Sequence, residues 1–505
     1  MTNPLFETLF APHAGSARPF LTLADGRGVT YAAFLTQAGR AARALTDLGL
    51  VPGDRVAAQV GKSPEALVLY AACVQAGLVF LPLNTAYTPA ELDYFIGNSG
   101  AALVVTDSRA RSALAPVVQR LGARIETLDA DGTGSLPALW EAAEADVAPA
   151  ARGPDDLAAL LYTSGTTGRS KGAMLTQANL LSNAQTLARE WQFTDRDVLL
   201  HALPIFHTHG LFVATNVVLA TGGAMIFLPR FDLDAVVAAL PRATAMMGVP
   251  TFYTRLLDDA RLTRDLVAHM RLFVSGSAPL LKETHRQFAA RTGHAILERY
   301  GMTETNMNTS NPYAGARRPG TVGKPLPGVE LRVCAPGTAN EVAPGEIGMI
   351  EVRGPNVFKG YWQMPDKTAE DLRPDGWFIT GDLGQIDEDG YVHIVGRGKD
   401  LIISGGLNIY PKEVELLLDA QPGVAESAVI GVPHPDFGEA VLAVLVPEVG
   451  RAPDIPAIEA VVGKSLARFK HPRRYILVDA LPRNTMGKVQ KAEMRKTYAD
   501  LFAMV

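Results

Sequence analysis

The sequence predicts an α/β protein: parallel sheets covered by helices over most of the chain, then a small β unit, then a separate α+β domain. Three observations predict it. Amphipathic helical segments alternate with short apolar strands from residue 31 onward. Near Pro319 this rhythm gives way to short alternating runs between Gly/Pro turns. After Gly398 it changes again, and the remaining length suffices for an independent domain. The 505 residues allow about three folding units.

The elements follow from local pattern. Residues 31–48 read as an amphipathic helix closed by Gly49. Residues 55–60 read as a strand, 64–75 as a helix stopped by Gly77, and 79–83 and 102–106 as apolar strands. Residues 198–229 contain no Asp, Glu, Lys or Arg and are long enough to cross a membrane. However, His201, His207, His209 and Asn216 interrupt them, and Gly222-Gly223 splits them, so we expect a buried helix (211–220), a turn and a buried strand (224–228). The runs 330–333, 348–352 and 391–395 suggest a small antiparallel or barrel-like unit. Beyond it we expect a helix at 412–418, strands at 425–432 and 440–446, a helix at 455–469, a strand at 475–478 and a last helix at 491–502.

Composition removes several function classes. At 48% hydrophobic and 20% charged, the chain is neither a disordered polymer nor a collagen-like rod nor a coiled coil. With 47 basic and 52 acidic residues, it lacks the positive field of a nucleic-acid binder. Cys73 and Cys334 cannot form a disulfide framework or a cysteine-rich zinc site. The N-terminus has no basic stretch leading into an apolar run, and the C-terminus carries no targeting tag. We therefore expect a cytoplasmic protein that does not engage membranes.

The strongest local signal is Tyr162-Thr163-Ser164-Gly165-Thr166-Thr167-Gly168-Arg169-Ser170-Lys171-Gly172, which follows the apolar run 157–161. Glycines let the backbone approach an anion closely. Hydroxyls and free N–H groups can then serve phosphate oxygens, with Arg169 and Lys171 adding charge. The segment does not fit a Walker A loop, and no Gly-x-Ser-x-Gly, His-Glu-x-x-His or Gly-x-Gly-x-x-Gly occurs. The pair His207/His209 hints at a metal, but no third ligand is near in sequence.

This loop resembles the signature of the adenylate-forming superfamily, which includes acyl-CoA synthetases, peptide-synthetase adenylation domains and luciferases. Further segments match in order: Pro204-Ile205-Phe206-His207-Thr208-His209-Gly210, Tyr300-Gly301-Met302-Thr303-Glu304-Thr305, Thr380-Gly381-Asp382, Gly396-Arg397-Gly398-Lys399-Asp400 and Pro482-Arg483-Asn484-Thr485-Met486-Gly487-Lys488. The resemblance spans roughly residues 20 to 500. It implies a large N-terminal ATP- and acyl-binding domain (1–396) with two sheet-and-helix subdomains plus the small β unit. A mobile C-terminal domain (397–505) would carry the catalytic lysine.

It also implies a chemistry. A carboxylate joins the α-phosphate of ATP, pyrophosphate leaves, and a thiol then displaces AMP. Lys488 would stabilise the charge that builds between two anions, and His207 would stand between the acyl pocket and the thiol channel. Thr163, Ser164, Gly165, Thr166, Thr167, Gly168 and Lys171 would hold the phosphates; Tyr300, Gly301, Met302 and Thr303 the adenosine; Asp382 and Arg397 the ribose. Glu304, with Thr163, would hold Mg²⁺ as a hard oxygen ligand. Lys399 matches the hinge, and Gly405-Gly406 would let a pantetheine arm pass.

Without a carrier domain after the last motif, CoA is the expected thiol, a separate carrier protein being the alternative. Arg299, just before Tyr300, puts a cation where the acyl chain would lie, which suits a short acid with a second negative charge. Glu298-Arg299-Tyr300-Gly301-Met302-Thr303-Glu304-Thr305 is similar to the malonyl-CoA synthetases, and Arg255 and Ser277 match that subfamily's second-carboxylate site. Malonate is therefore the expected acid and methylmalonate a further one, with another short-chain acid as the alternative. The stretch ending in Lys488 resembles the segment that protein acetyltransferases recognise in other acyl-CoA synthetases, so such an enzyme is an expected partner.

Overall fold

Two largely parallel sheets build the first of two units in this computed structural model, which describes residues 2–145, 147–163, 170–404, 407–484 and 487–502. The units are Met1–Glu330 with Val352–Phe378, and Leu331–Glu351 with Ile379–Val505.

The first unit contains a six-stranded sheet in the order Arg124–Thr127, Leu103–Thr106, Arg55–Gln59, Val79–Pro82, Leu157–Thr163 and Lys171–Thr176. All its pairings are parallel except the last, a hairpin that sets Thr163 opposite Lys171. Residues 164–169 of the phosphate-loop motif lie outside the described residues. A nine-stranded sheet holds a parallel run of Pro19–Leu23, Ala224–Phe227, Val198–His201, Ala245–Gly248, Leu272–Ser275 and Leu297–Met302. Antiparallel strands close its edges. The helices begin where caps place them: Thr30 Oγ1 accepts from Ala33 N at the start of Tyr31–Asp47, and Ser63 Oγ accepts from Ala66 N at the start of Pro64–Gln75.

The charge-free stretch 198–229 folds as a strand, a buried helix, a turn and a second strand, but the helix is not uniform. It is π-helical over His209–Thr215 and α-helical over Asn216–Thr221, and it stops at Gly222 with φ +72°. No helix among the described residues is long and apolar enough to cross a membrane. Cys73 and Cys334 are both buried.

The second unit begins with a four-stranded sheet, Glu330–Cys334, Gly348–Arg353, Phe378–Ile386 and Val392–Arg397, the last two antiparallel. Its C-terminal part is a five-stranded sheet around the long hairpin Val424–His434 and Gly438–Pro447. The pleat sorts the hairpin between two cores. Val429, Val441, Ala443 and Leu445 face a cluster with Val414, Leu418 and Ile458, while Ala428, Ile430, Ala440 and Leu442 face Leu481, Met494 and Phe502. Two expected helices are shorter than their periodicity implied. Ile455–Ser465 stops because Leu466 is extended (φ −124°, ψ 152°), leaving a separate 3₁₀ turn at Arg468–Lys470. The last helix, Lys491–Thr497, ends before Leu501 and Phe502 join the core by another path.

Asp419, at the end of helix Pro411–Leu418, gives this unit a pH dependence. Its carboxylate accepts from Ser427 Oγ at 2.6 Å and lies 3.8 Å from Lys412 Nζ, and burial pushes its pKa up to about 6. A folded pKa above the unfolded value of 3.8 means that the native state holds the extra proton, so stability falls as pH rises from about 4 to about 6. Asp419→Asn removes that loss. Relative to wild type, the variant should gain up to ~3 kcal/mol between pH 4 and pH 7, read from denaturant unfolding at both pH values.

Candidate functional site

Parallel strands of the nine-stranded sheet end together, and their carboxyl ends carry most of the expected acyl-site residues, as open α/β sheets favour. Val198–His201 leads into the loop holding His207 and His209, Leu272–Ser275 into Gly276-Ser277, and Leu297–Met302 carries Arg299. Ser275 stands opposite Glu298 and Arg299 opposite Ser310.

Arg299 is 3% exposed, and its Nε and Nη2 have no hydrogen-bond partner among the described residues. The adjacent Glu298 does not neutralise it. Neighbours on a strand point to opposite faces, and the buried Glu298 accepts from Gly320 N at 3.3 Å and lies 3.1 Å from His285 Nδ1. The pair is therefore no surface ion pair. Burial brings the Arg299 guanidinium down to about 9, so it remains a cation at neutral pH.

Further unsatisfied polar atoms lie on the same strand ends and loops. His209 is fully buried; its Nδ1 is 3.2 Å from Ser277 Oγ, and its Nε2 has no partner among the described residues. Ser275 Oγ and Asn306 Nδ2 are likewise unpartnered there. Burial first, then the Arg299, His207 and His201 charges, hold His209 well below the usual imidazole range, so it is neutral. Ser277 adopts φ +68°, a left-handed conformation uncommon for serine, which marks local strain at the site. His207 Nδ1 accepts from the His209 backbone N–H at 3.2 Å. Arg255 does not join this group. It is exposed on helix Pro250–Leu257, with its guanidinium carbon 5.9 Å from the Phe231 ring centre.

A second group forms around Glu304, which is 6% exposed in the turn after Leu297–Met302. Tyr361 donates to Glu304 Oε1 at 3.1 Å, and Lys171 Nζ sits 4.3 Å from the Tyr361 ring centre and 3.4 Å from Asp371 Oδ2. Burial and the Glu304 and Asp371 charges raise the Tyr361 phenol. Tyr300, Gly301, Met302 and Thr303 precede this turn, with a bulge between Tyr300 and Gly301. Gly301 is obligatory there, because a Cβ would fall 1.8 Å from the Asn306 carbonyl oxygen. Thr163 Oγ1 lies 3.5 Å from the Lys171 carbonyl oxygen across its hairpin.

In the second unit, the Asp382 carboxylate is buried and holds Arg397 Nε at 2.8 Å. Lys399 lies in the 3₁₀ turn Gly398–Asp400. At Lys488, the Asn484 N–H donates to the Lys488 carbonyl oxygen at 3.0 Å and Asn484 Oδ1 accepts from Lys488 N at 2.9 Å. Ser164, Gly165, Thr166, Thr167, Gly168, Gly405 and Gly406 lie outside the described residues. No cluster of three or more His, Cys, Asp or Glu among the described residues could hold a metal. Glu304 thus fits an ion held by one carboxylate together with substrate phosphates, which is how Mg²⁺ commonly binds.

Sequence reasoning passed over Tyr361, Asp371 and His209. Tyr361 and Asp371 sit in no motif that separates them from structural residues, whereas His209 was visible but weighed only as half of a metal pair.

Residues 11–362 match the AMP-binding enzyme family, and residues 413–488 match the AMP-binding enzyme C-terminal domain. The chain belongs to this family of adenylate-forming acyl-CoA synthetases. A feruloyl-CoA synthase of an Amycolatopsis species is 38% identical over 500 residues, 98% of either chain. A malonate–CoA ligase of Arabidopsis thaliana is 32% identical over 541 residues, covering 98% of this chain and 88% of the relative. The crystal structure of ATP-bound MatB from Rhodopseudomonas palustris is 58% identical, covers 99% of this chain and 100% of its own, and matches with a TM-score of 0.97. The chain is accordingly an AMP-forming acid–thiol ligase.

Gly276 tests the acyl-side geometry. A Cβ there would lie 2.4 Å from Arg299 Cζ, so Gly276→Ala must displace the guanidinium. Its kcat/KM for the acid should fall roughly tenfold or more, the scale of one lost charge-assisted contact, while KM for ATP stays near wild type. Steady-state kinetics with each substrate varied in turn checks this.

Proposed function

We propose that this ligase joins malonate to CoA through malonyl-AMP, with methylmalonate as a further accepted acid. The observation that carries the reading is Arg299, a buried guanidinium two of whose nitrogens have no hydrogen-bond partner among the described residues. A buried cation without a counter-ion is costly. A dicarboxylate supplies the missing charge with one carboxylate while the other faces ATP. Arg suits this task because its planar fork can hold a carboxylate through two N–H groups. Ser277 adds a neutral donor. Arg255, exposed on its helix, is the weakest of the three proposed contacts.

In the first step a carboxylate oxygen attacks the α-phosphorus and pyrophosphate leaves. Lys171, with Thr163 and the 164–168 loop, would hold the phosphates. Tyr300, Gly301, Met302 and Thr303 would hold the adenosine, and Asp382 and Arg397 the ribose. Glu304 and Thr163 would hold Mg²⁺, which offsets phosphate charge when bound. Lys488 would stabilise the charge shared by the two meeting anions. In the second step the CoA thiol attacks the acyl carbonyl and AMP leaves, with His207 beside the thiol path and Gly405-Gly406 leaving room for pantetheine. Lys399 would be the hinge about which residues 397–505 turn between the steps.

Two experiments decide the reading. Removing one partner of a buried charged pair typically costs about 2–5 kcal/mol, so Arg299→Ala should lower kcat/KM for malonate roughly 30- to 4000-fold. Acetate and butyrate should lose far less. A wild-type preference for a monocarboxylate, or an equal loss on every acid, would defeat malonate as the substrate and leave the ligase intact.

The second experiment separates the half-reactions. Lys488→Ala should reduce malonate-dependent ATP–pyrophosphate exchange by several kcal/mol of barrier, roughly 100-fold or more. Conversion of synthetic malonyl-AMP and CoA to malonyl-CoA should persist. Loss of both half-reactions together would contradict a lysine that serves only the first.

A further inference from the structure

One buried cation in the first unit has no part in the reading above. Lys62 lies in the loop between strand Arg55–Gln59 of the six-stranded sheet and helix Pro64–Gln75. It reaches across to the nine-stranded sheet, where its Nζ donates to His201 Nδ1 and to the His201 carbonyl oxygen, both at 2.8 Å. The ammonium also lies 4.3 Å from the Phe227 ring centre. It has no carboxylate partner among the described residues. Lys62 is partly exposed as a whole, yet protein atoms surround its ammonium densely, and burial pushes its pKa well down.

The contact does not end at His201. A donor on Nδ1 leaves the imidazole proton on Nε2, and His201 Nε2 is 2.8 Å from the Gly210 carbonyl oxygen. Thr215 Oγ1 donates to the same oxygen at 3.0 Å. Gly210 lies within the π-helical turn His209–Thr215 and packs so tightly that a Cβ would fall 2.0 Å from the Pro204 carbonyl oxygen. The residue before it is His209, whose ring meets Ser277.

We propose that Lys62 is a positioning residue for the acyl site: through His201 it fixes the Gly210 carbonyl, and with it the π-helical turn that sets His209 against Ser277. A π-helical segment is a register seldom favoured by the chain alone and common at functional sites, so an external clamp on its second carbonyl, that of Gly210, decides where its first side chain points. The clamp ties one sheet to the other, so the acyl pocket depends on a residue from the sheet that does not line it. This inference rests on the assignment of Ser277 and Arg299 to the acid.

The test uses the whole enzyme and, as acid, whichever compound its own panel selects. Failure of malonate would therefore overturn the substrate and not the role of Lys62. Lys62→Met keeps the apolar stem over Phe227 and removes the donor. KM for the acid should rise roughly ten- to hundredfold, the effect of losing a hydrogen bond to a charged group, with KM for ATP within about twofold of wild type by the same reasoning. Lys62→Cys should behave alike, and aminoethylation with 2-bromoethylamine, which rebuilds a lysine-like amine, should restore the acid KM; Cys73 and Cys334 are buried. Equal rises in both KM values, or no recovery after aminoethylation, would overturn the proposal. Should neither variant fold, the wild type decides. In ¹⁵N-histidine spectra, assigned by the signal lost in His201→Gln, His201 should be the Nε2–H tautomer, and an Nδ1–H tautomer would defeat the clamp.

Discussion

The desolvated guanidinium of Arg299 constrains everything around it. A cation this deep must find its hydrogen bonds inside the protein, and two of its nitrogens find none among the described residues. The fold accommodates the charge without cancelling it. Glu298, the carboxylate nearest in sequence, is turned to the opposite face and held by His285 and Gly320. Gly276 keeps its space empty so that the guanidinium can lie against the backbone. Had Glu298 paired with Arg299, the pocket would have been neutral and a second anionic group would have had nothing to gain there.

Under the proposed function, selectivity would be a difference of affinities set at this residue. A monocarboxylate placed for reaction leaves Arg299 as unpaired as it is without ligand. A short dicarboxylate adds the missing partner. Relatives of similar identity carry names for chemically distant acids, an aromatic one and a dicarboxylate. Likeness at that level does not choose between them, and the proposed substrate rests on the local electrostatics of one strand position.

The legible parts of the sequence were those set by strong local rules. Helix Pro64–Gln75 reads residue for residue, since Ser63, Pro64 and Gly77 punctuate an apolar run. Strand positions in both sheets fall within a residue or two of the apolar runs. Less legible was any feature decided by long-range packing. The apolar pattern of 211–220 does not distinguish π- from α-helical winding, whereas in the fold His201, from a neighbouring strand, meets the Gly210 carbonyl. Leu466 is extended although the helical period continues past it. At the site, Arg299 and Ser277 could be named from motif position, but Arg255 is exposed where the motif implied a pocket residue. Tyr361 became visible only when the chain brought it to Glu304 from 57 residues away.

His209 makes sense as a neutral group near Arg299. An imidazolium at position 209 would add a second positive charge beside a guanidinium already raised in energy by burial, and each would disfavour the other. Kept neutral, His209 costs little to bury and still offers one donor. Which nitrogen donates is set by Ser277. If its hydroxyl donates to Nδ1, the proton sits on Nε2, the atom without a partner among the described residues. That tautomer leaves an N–H donor on an imidazole that lies within the field of the Arg299 charge, and an ionised carboxylate can only accept. The opposite tautomer would turn a lone pair toward the anion and repel it. Ser277, at φ +68°, brings its hydroxyl to 3.2 Å from His209 Nδ1, so this strained backbone conformation and the tautomer of the buried imidazole are coupled.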